Sequence, residues 1–351
     1  MIPLTVVDAC AEPPHSEVPV TGPPGGMTEI ERFEHAFALL TKTRFAMATR
    51  TPALARDIAL GGLGLAEHDE VVTSPFCSTA TLDAIVRTGA RVRFADVCDD
   101  DFGIDPDAVA AIIGPRTRAI LAVHLYGQPA DLGKLTALAA EYDLRVVEDA
   151  AQALGATCEG RQAGSHELGC FSLPGRTPSD SCGVVTFAED ARVGPDQHRT
   201  PQRGITEQRA ALGFARLARL PSALASRAHN ARTLGEGLAG TPGLRVPFEL
   251  PGRDHVWHQY TVRVGPHAML SRDELATALA GRGIGTRVYY PRLVFDADDY
   301  RGHPALGNPS EAEFPFAARL TEEVLSLPVH EALTASQLDL IVNAVREELG
   351  A

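Results

Sequence analysis

Apolar positions along this chain fall into two alternating rhythms. In "MTEIERFEHAFALLTKT", Ile30, Phe33, Ala36, Phe37 and Leu40 are spaced three or four apart, which lines one side of a helix. "RFAMATR" is a short apolar run and reads as a strand. "PALARDIALGGLGL" returns to helical spacing, with Pro52 in the first turn, where a missing N–H costs little. The alternation continues through strand "EVVTSP", helix "TATLDAIVRTG", strand "RVRFADV" and helix "DPDAVAAII", which Asp105 opens. Strand "TRAILAVHL", helix "ADLGKLTALAAEYD" and strands "LRVVEDA" and "GCFSL" follow. Two helices, around 206–220 and 221–240, then lead to strand "HQYTVRV", helix "SRDELATALAGRG", strand "GTRVYY" and a last helix from Ser336. Such alternation predicts an α/β fold: a large domain with a mostly parallel sheet covered by helices, plus a small C-terminal α/β domain. The expected divisions are a Pro- and Gly-rich N-terminal arm at 1–26, the large domain at 27–240 and the small domain at 241–351.

Charge and cysteine usage narrow the function. A formal net charge of -13 argues against nucleic acid or an anionic membrane surface as partner, yet leaves room for a basic pocket that takes a small anion. The six cysteines are scattered without CxxC spacing, so neither a disulfide framework nor a metal site is expected. "MIPLTVVDACAEPP" lacks the basic start of a signal peptide, and no apolar run is long enough to span a bilayer, so the expected location is cytoplasmic.

Chemistry concentrates in "LGCFSLPGRTPSDSCG". A strand runs into a Pro174-Gly175 turn that delivers one cation, Arg176. A turn after a strand is a natural place to present a reactive amine, but a guanidinium keeps its proton and is no nucleophile. It can clamp a carboxylate or phosphate through two hydrogen bonds. The chain holds only two lysines, Lys42 and Lys134, so candidates for an imine-forming amine are few.

The blocks "DEVVTSP", "TGARVRFADV", "FGIDPDAVAAIIGPRTRAILAVHLYGQPADL", "LRVVEDAAQALGA", "GCFSL", "TEQRAALG", "GRGIGTRVYYP" and "VLSLPVH" resemble, in sequence and order, the sugar aminotransferases typified by DegT and StrS. That resemblance implies the aspartate-aminotransferase-like fold of pyridoxal-phosphate (PLP) enzymes of fold type I. It also implies a homodimer with active sites at the subunit interface. By the same resemblance Asp149 pairs with the ring nitrogen of PLP, Gln152 lies beside its phenolic oxygen and Ser172 holds its phosphate.

Other family positions are altered. Thr51, Pro52 and Ala53 stand where the family has Ser-Gly-Thr around a phosphate at a helix N-terminus, so donors are lost. Ser78 stands where an aromatic residue stacks on the cofactor, Gln202 where an asparagine reaches across from the partner subunit, and Arg176 where the lysine forms the Schiff base. The expectation is therefore a PLP-independent enzyme of natural-product biosynthesis, without a cofactor, carrying out cyclisation, dehydration or isomerisation of a small polar or anionic metabolite. Arg176, Asp149 and His124 are its candidate catalytic residues, and Arg50, Arg176, His258, Tyr289 and Tyr290 its candidate substrate contacts. Two alternatives stand beside it. One is a non-catalytic partner or regulator of an active aminotransferase. The other is an aminotransferase or dehydratase that binds PLP or its amine form, PMP, non-covalently through Asp149, Gln152 and Ser172.

Overall fold

In the computed structural model, which describes residues 1–4, 26–173, 175, 181–188 and 204–351, the first helix among the described residues is α1 (Glu29–Thr41). Its start is a reciprocal cap. Thr28 Oγ1 accepts the Glu31 N–H at 3.1 Å, and the Glu31 carboxylate accepts the Thr28 N–H at 2.8 Å. Strand β1 (Phe45–Thr49) and helix α2 (Pro52–Gly61) follow, then β2 (Glu70–Thr73), α3 (Thr79–Val86), β3 (Arg91–Phe94) and α4 (Pro106–Ile112). Next come β4 (Thr117–Val123), α5 (Leu132–Glu141), β5 (Arg145–Asp149), the two-residue strands β6 (Thr157–Cys158) and β7 (Arg161–Gln162), β8 (Leu168–Leu173) and β9 (Cys182–Phe187). Most of the N-terminal arm lies outside the described residues, as do Arg176 and Gln202.

Seven strands form one sheet in the order β1-β9-β8-β5-β4-β2-β3. Strand β9 runs antiparallel to both neighbours, and every other pairing is parallel. Alternation along each strand sorts side chains onto two faces. Val71, Ala119, Leu121 and Val147 pack under α2 and α3. Val72, Ile120, Ala122 and Val146 pack under α4 and α5 on the opposite face. The same alternation sends two consecutive acids of β5 apart: Glu148 follows Val146, and Asp149 follows Val147.

The second unit begins on α6 (Glu207–Leu238), a single helix of 32 residues, about 48 Å long. Its start packs Ala210 with Phe33 and Phe37 of α1, and its end packs Ala231, Leu234 and Leu238 into the C-terminal core. Two helices were expected here, broken near Pro221. That residue and its neighbours Ala218, Arg219 and Ser222 are exposed, so the missing N–H falls on the solvated side, while packing at both ends holds one axis.

Beyond it lie β10 (Leu244–Arg245), β11 (Arg253–Asp254), β12 (Tyr260–Val264), α7 (Arg272–Gly281), α8 (Pro315–Glu323), β13 (Val324–Leu327) and α9 (Ala335–Glu348). Strands β10, β12 and β13 form a three-stranded sheet covered by α7 and α9. The expected strand "GTRVYY" does not form. The chain makes one bridge, Arg287 to Ser326, then leaves the sheet and carries Tyr290 into the core beneath α2 and α3. No helix among the described residues is long and apolar enough to cross a membrane.

Candidate active site

Asp149 ends β5 at the carboxyl edge of the parallel strands, where open α/β sheets place their ligands. It is 3% exposed, and both its oxygens are engaged. Arg56 Nε donates to Oδ2 at 2.7 Å, Thr81 Oγ1 donates to Oδ2 at 3.2 Å, and the Ala151 N–H donates to Oδ1 at 3.3 Å. Because the Thr81 proton is spent on Asp149, Thr81 accepts from Ser78 Oγ at 3.1 Å. A hydroxyl chain thus runs from half-buried Ser78, at the N-cap of α3, to the buried acid.

Arg56 was not anticipated. It lies on α2 between Ala55 and Ala59 and is itself 9% exposed. A charged residue inside an apolar helical stripe must find a buried partner, and that was the available signal. Burial alone would lower the Arg56 pKa, but the charge and hydrogen bond of Asp149 outweigh it and raise the value. Around the pair the other titratable groups stay neutral. Burial, then the Asp149 charge, pushes up the thiols of Cys77 and Cys170. Burial likewise raises the Tyr290 hydroxyl.

Gln152 is held at both ends of its amide. Its Oε1 accepts the Tyr126 N–H at 2.6 Å, and its Nε2 donates to Tyr290 Oη at 3.1 Å. Tyr290 packs on Phe76 with ring centroids 5.1 Å apart. Ser172 lies on β8 in phase with Cys170, whose thiol donates to the Ala55 carbonyl, and so on the α2 face of the sheet. The structure therefore gathers Asp149, Gln152, Tyr290 and Ser172 on one face, with Arg56, Thr81 and Ser78 added.

His124 is elsewhere. It is fully buried in phase with Ala122, on the opposite face. Its Nδ1 accepts the Ala130 N–H at 3.1 Å, so Nε2 carries the proton and donates to Glu148 at 3.0 Å. Glu148 also receives the N–H groups of Gly164 and His166, at 2.7 and 2.8 Å, and the His166 ring. Burial opposes the Glu148 charge, yet the two histidines hold its carboxyl well below the usual range. With both ring nitrogens used, the His124 side chain braces β5 from behind; its backbone N–H donates to the Asp149 carbonyl at 3.1 Å, but its ring does not reach the Asp149 carboxylate.

Of the remaining candidates, Arg50 is exposed at the end of β1, and its carbonyl accepts from Arg209. Tyr289 is half-buried under the Arg287 guanidinium. His258 is half-buried beside the Gly127 turn, where burial and then the Arg227 charge push its pKa down to about 4 in a segment shared with His255. The N-terminus of α2 caps itself: Thr51 Oγ1 accepts the Leu54 N–H at 3.2 Å, and Pro52 has none to offer.

The family model described as the DegT/DnrJ/EryC1/StrS aminotransferase family matches residues 25–177 and 197–346. The chain belongs to that family. A dTDP-3-amino-3,4,6-trideoxy-alpha-D-glucose transaminase of Streptomyces venezuelae is 37% identical over 91% of this chain and 86% of its own length. The crystal structure of S. venezuelae DesV in complex with a ketimine intermediate superposes with a TM-score of 0.88 at 32% identity, covering 100% of this chain and 99% of that one. A putative sugar aminotransferase of Streptococcus pneumoniae, in its PMP form, shares the fold at a TM-score of 0.84 and 21% identity, covering 95% of this chain and 96% of that one. These relatives correct the expectation of a site without a cofactor. One of the three is a transaminase, one was solved with a ketimine intermediate and one in its PMP form.

The residues present fit a pyridoxal-type ring with two changes. A buried carboxylate, an anchored amide and a strand hydroxyl are in place on one face. The carboxylate, however, already holds a guanidinium. Neither lysine is near it: Lys42 is exposed at the C-cap of α1, and Lys134 is on α5, on the other face of the sheet, paired with Asp131.

Proposed function

We propose that this protein is a sugar-nucleotide aminotransferase-type enzyme that holds PLP or PMP without a covalent link. The observation that carries this reading is the buried Asp149 carboxylate at the sheet's carboxyl edge, with Gln152 and Ser172 on its face, in a member of an aminotransferase family. When bound, the cofactor supplies the electron-withdrawing ring that lets an amino group pass to and from a carbonyl carbon. Asp149 and the Arg56 guanidinium paired with it would together hold that ring. Gln152 is fixed by Tyr126 and Tyr290 and presents its amide in one orientation. Tyr290, Phe76 and Cys77 exclude water from beside the acid. Ser172 would hold the phosphate, and Arg176, placed by the family resemblance where a lysine would stand, would offer an anion clamp there. The substrate is a small polar sugar nucleotide, and the active unit is a homodimer.

The test is spectroscopic. Purified protein is titrated with PLP and with PMP, then treated with borohydride and peptide-mapped. Saturable perturbation of the cofactor absorbance with no lysine adduct is expected. Arg176→Lys is expected to gain an adduct at that position. Absence of any binding would sink the reading in favour of a non-catalytic partner, and an adduct on Lys42 or Lys134 would sink its non-covalent part.

A further inference from the structure

We infer that Arg56 takes the place of the ring proton: a pyridoxal ring bound against Asp149 keeps its nitrogen unprotonated. This rests on the proposed reading that PLP or PMP binds. The charges already in the pocket decide the ring's protonation. Among the described residues around the site, one carboxylate, Asp149, and one guanidinium, Arg56, are joined at 2.7 Å. The other members, Thr81, Ser78, Gln152, Cys77, Cys170 and Tyr290, are neutral, the last three because burial holds their protons on.

A protonated ring nitrogen at Asp149 would bring a second cation beside Arg56 to one carboxylate, a like-charge arrangement that disfavours the charged form. Oδ2 already accepts from Arg56 and Thr81, and Oδ1 accepts from Ala151, so the carboxylate has little left to offer a new N–H. Arg56 reaches Asp149 through Nε alone, and its terminal nitrogens have no hydrogen-bond partner among the described residues. An unprotonated ring nitrogen is an acceptor, and those nitrogens are donors. The consequence for chemistry is a weaker electron sink than a protonated ring provides, matched to a site whose acid is already neutralised.

The test is ring-15N NMR of PMP labelled at the pyridine nitrogen, bound to the full-length protein. Wild type is expected to give the neutral-pyridine resonance at neutral pH. Arg56→Leu is expected to shift it to the pyridinium position, because Asp149 then seeks a new cation. Arg56→Gln, which keeps a donor and drops the charge, is the second variant should the leucine form fail to fold, and the same shift is expected. A pyridinium resonance in wild type overturns this inference and leaves the cofactor reading intact. Failure of PMP to bind wild type and both variants overturns the cofactor reading, and this inference with it. An unshifted neutral resonance in a folded variant also overturns the role given to Arg56.

Discussion

Glu148→Gln tests whether the far face of β5 holds the site's acid in place. The carboxylate accepts four hydrogen bonds, two on each oxygen: His124 Nε2 and the Gly164 N–H on Oε2, the His166 N–H and ring on Oε1. A glutamine of the same shape must turn an NH2 toward one of these pairs. The Oε2 side cannot yield, because the His124 proton is fixed on Nε2 by the Ala130 N–H and Gly164 is a backbone donor. On the Oε1 side the His166 ring can change tautomer, but its backbone N–H cannot. One orphaned buried donor costs about 1–3 kcal/mol, and losing charge assistance on the remaining bonds adds about 1 kcal/mol each. With three bonds remaining, the expected loss is about 4–6 kcal/mol. With a urea dependence of about 3 kcal/mol per molar, the midpoint falls by about 1 M or more. Urea unfolding followed by far-UV circular dichroism measures this, with Glu141→Gln on the exposed face of α5 as control. The pH dependence has a definite sign. Glu148 is depressed in the folded state, so its stabilisation is complete above its ordinary value of 4.5 and is lost as pH falls below that. The wild type should therefore lose stability below pH 4.5 more steeply than the variant. An unchanged midpoint, or identical acid limbs, would refute the account of His124 and Glu148 as a brace.

Other consequences can be measured directly. His255 and His258 are held neutral, with values near 3 and 4 against 6.5 when exposed, so stability should already decline as pH drops below 6.5; the double variant to glutamine should flatten that limb in thermal melts. Gly127→Ala should destabilise the fold by about 1–3 kcal/mol, since φ is +108° and the new Cβ would lie 2.7 Å from the His258 nitrogen; an unchanged melting temperature would contradict this. Gly183→Ala should weaken the join of β9 to α2, where the Cβ would meet the Thr51 carbonyl at 2.6 Å, and urea titration would show it. Sedimentation velocity is expected to give a homodimer, and a monomer at micromolar concentration would count against an interface site.

Periodicity alone determined most of the large unit. The alternation from "RFAMATR" to "LRVVEDA" specifies strand and helix because each buries one side of its own element, which is local information. Strand β9 escaped because "CGVVTF" is held between its neighbour β8 and β1, which lies more than 130 residues away, and "GTRVYY" misled because its last tyrosines leave their sheet to pack under α2. The resemblance placed Asp149, Gln152 and Ser172 on one site by order along the chain. It could not decide which way His124 faces: the strand's two-residue period puts it back to back with the acid, and only the partner beyond, Glu148, fixes that. Nor could it join Arg56 to Asp149, 93 residues apart. In sequence Arg56 is a charge out of place on an apolar stripe. The tertiary structure supplies the reason, because a guanidinium buried at that point of α2 is stable only against the carboxylate that β5 brings beneath it.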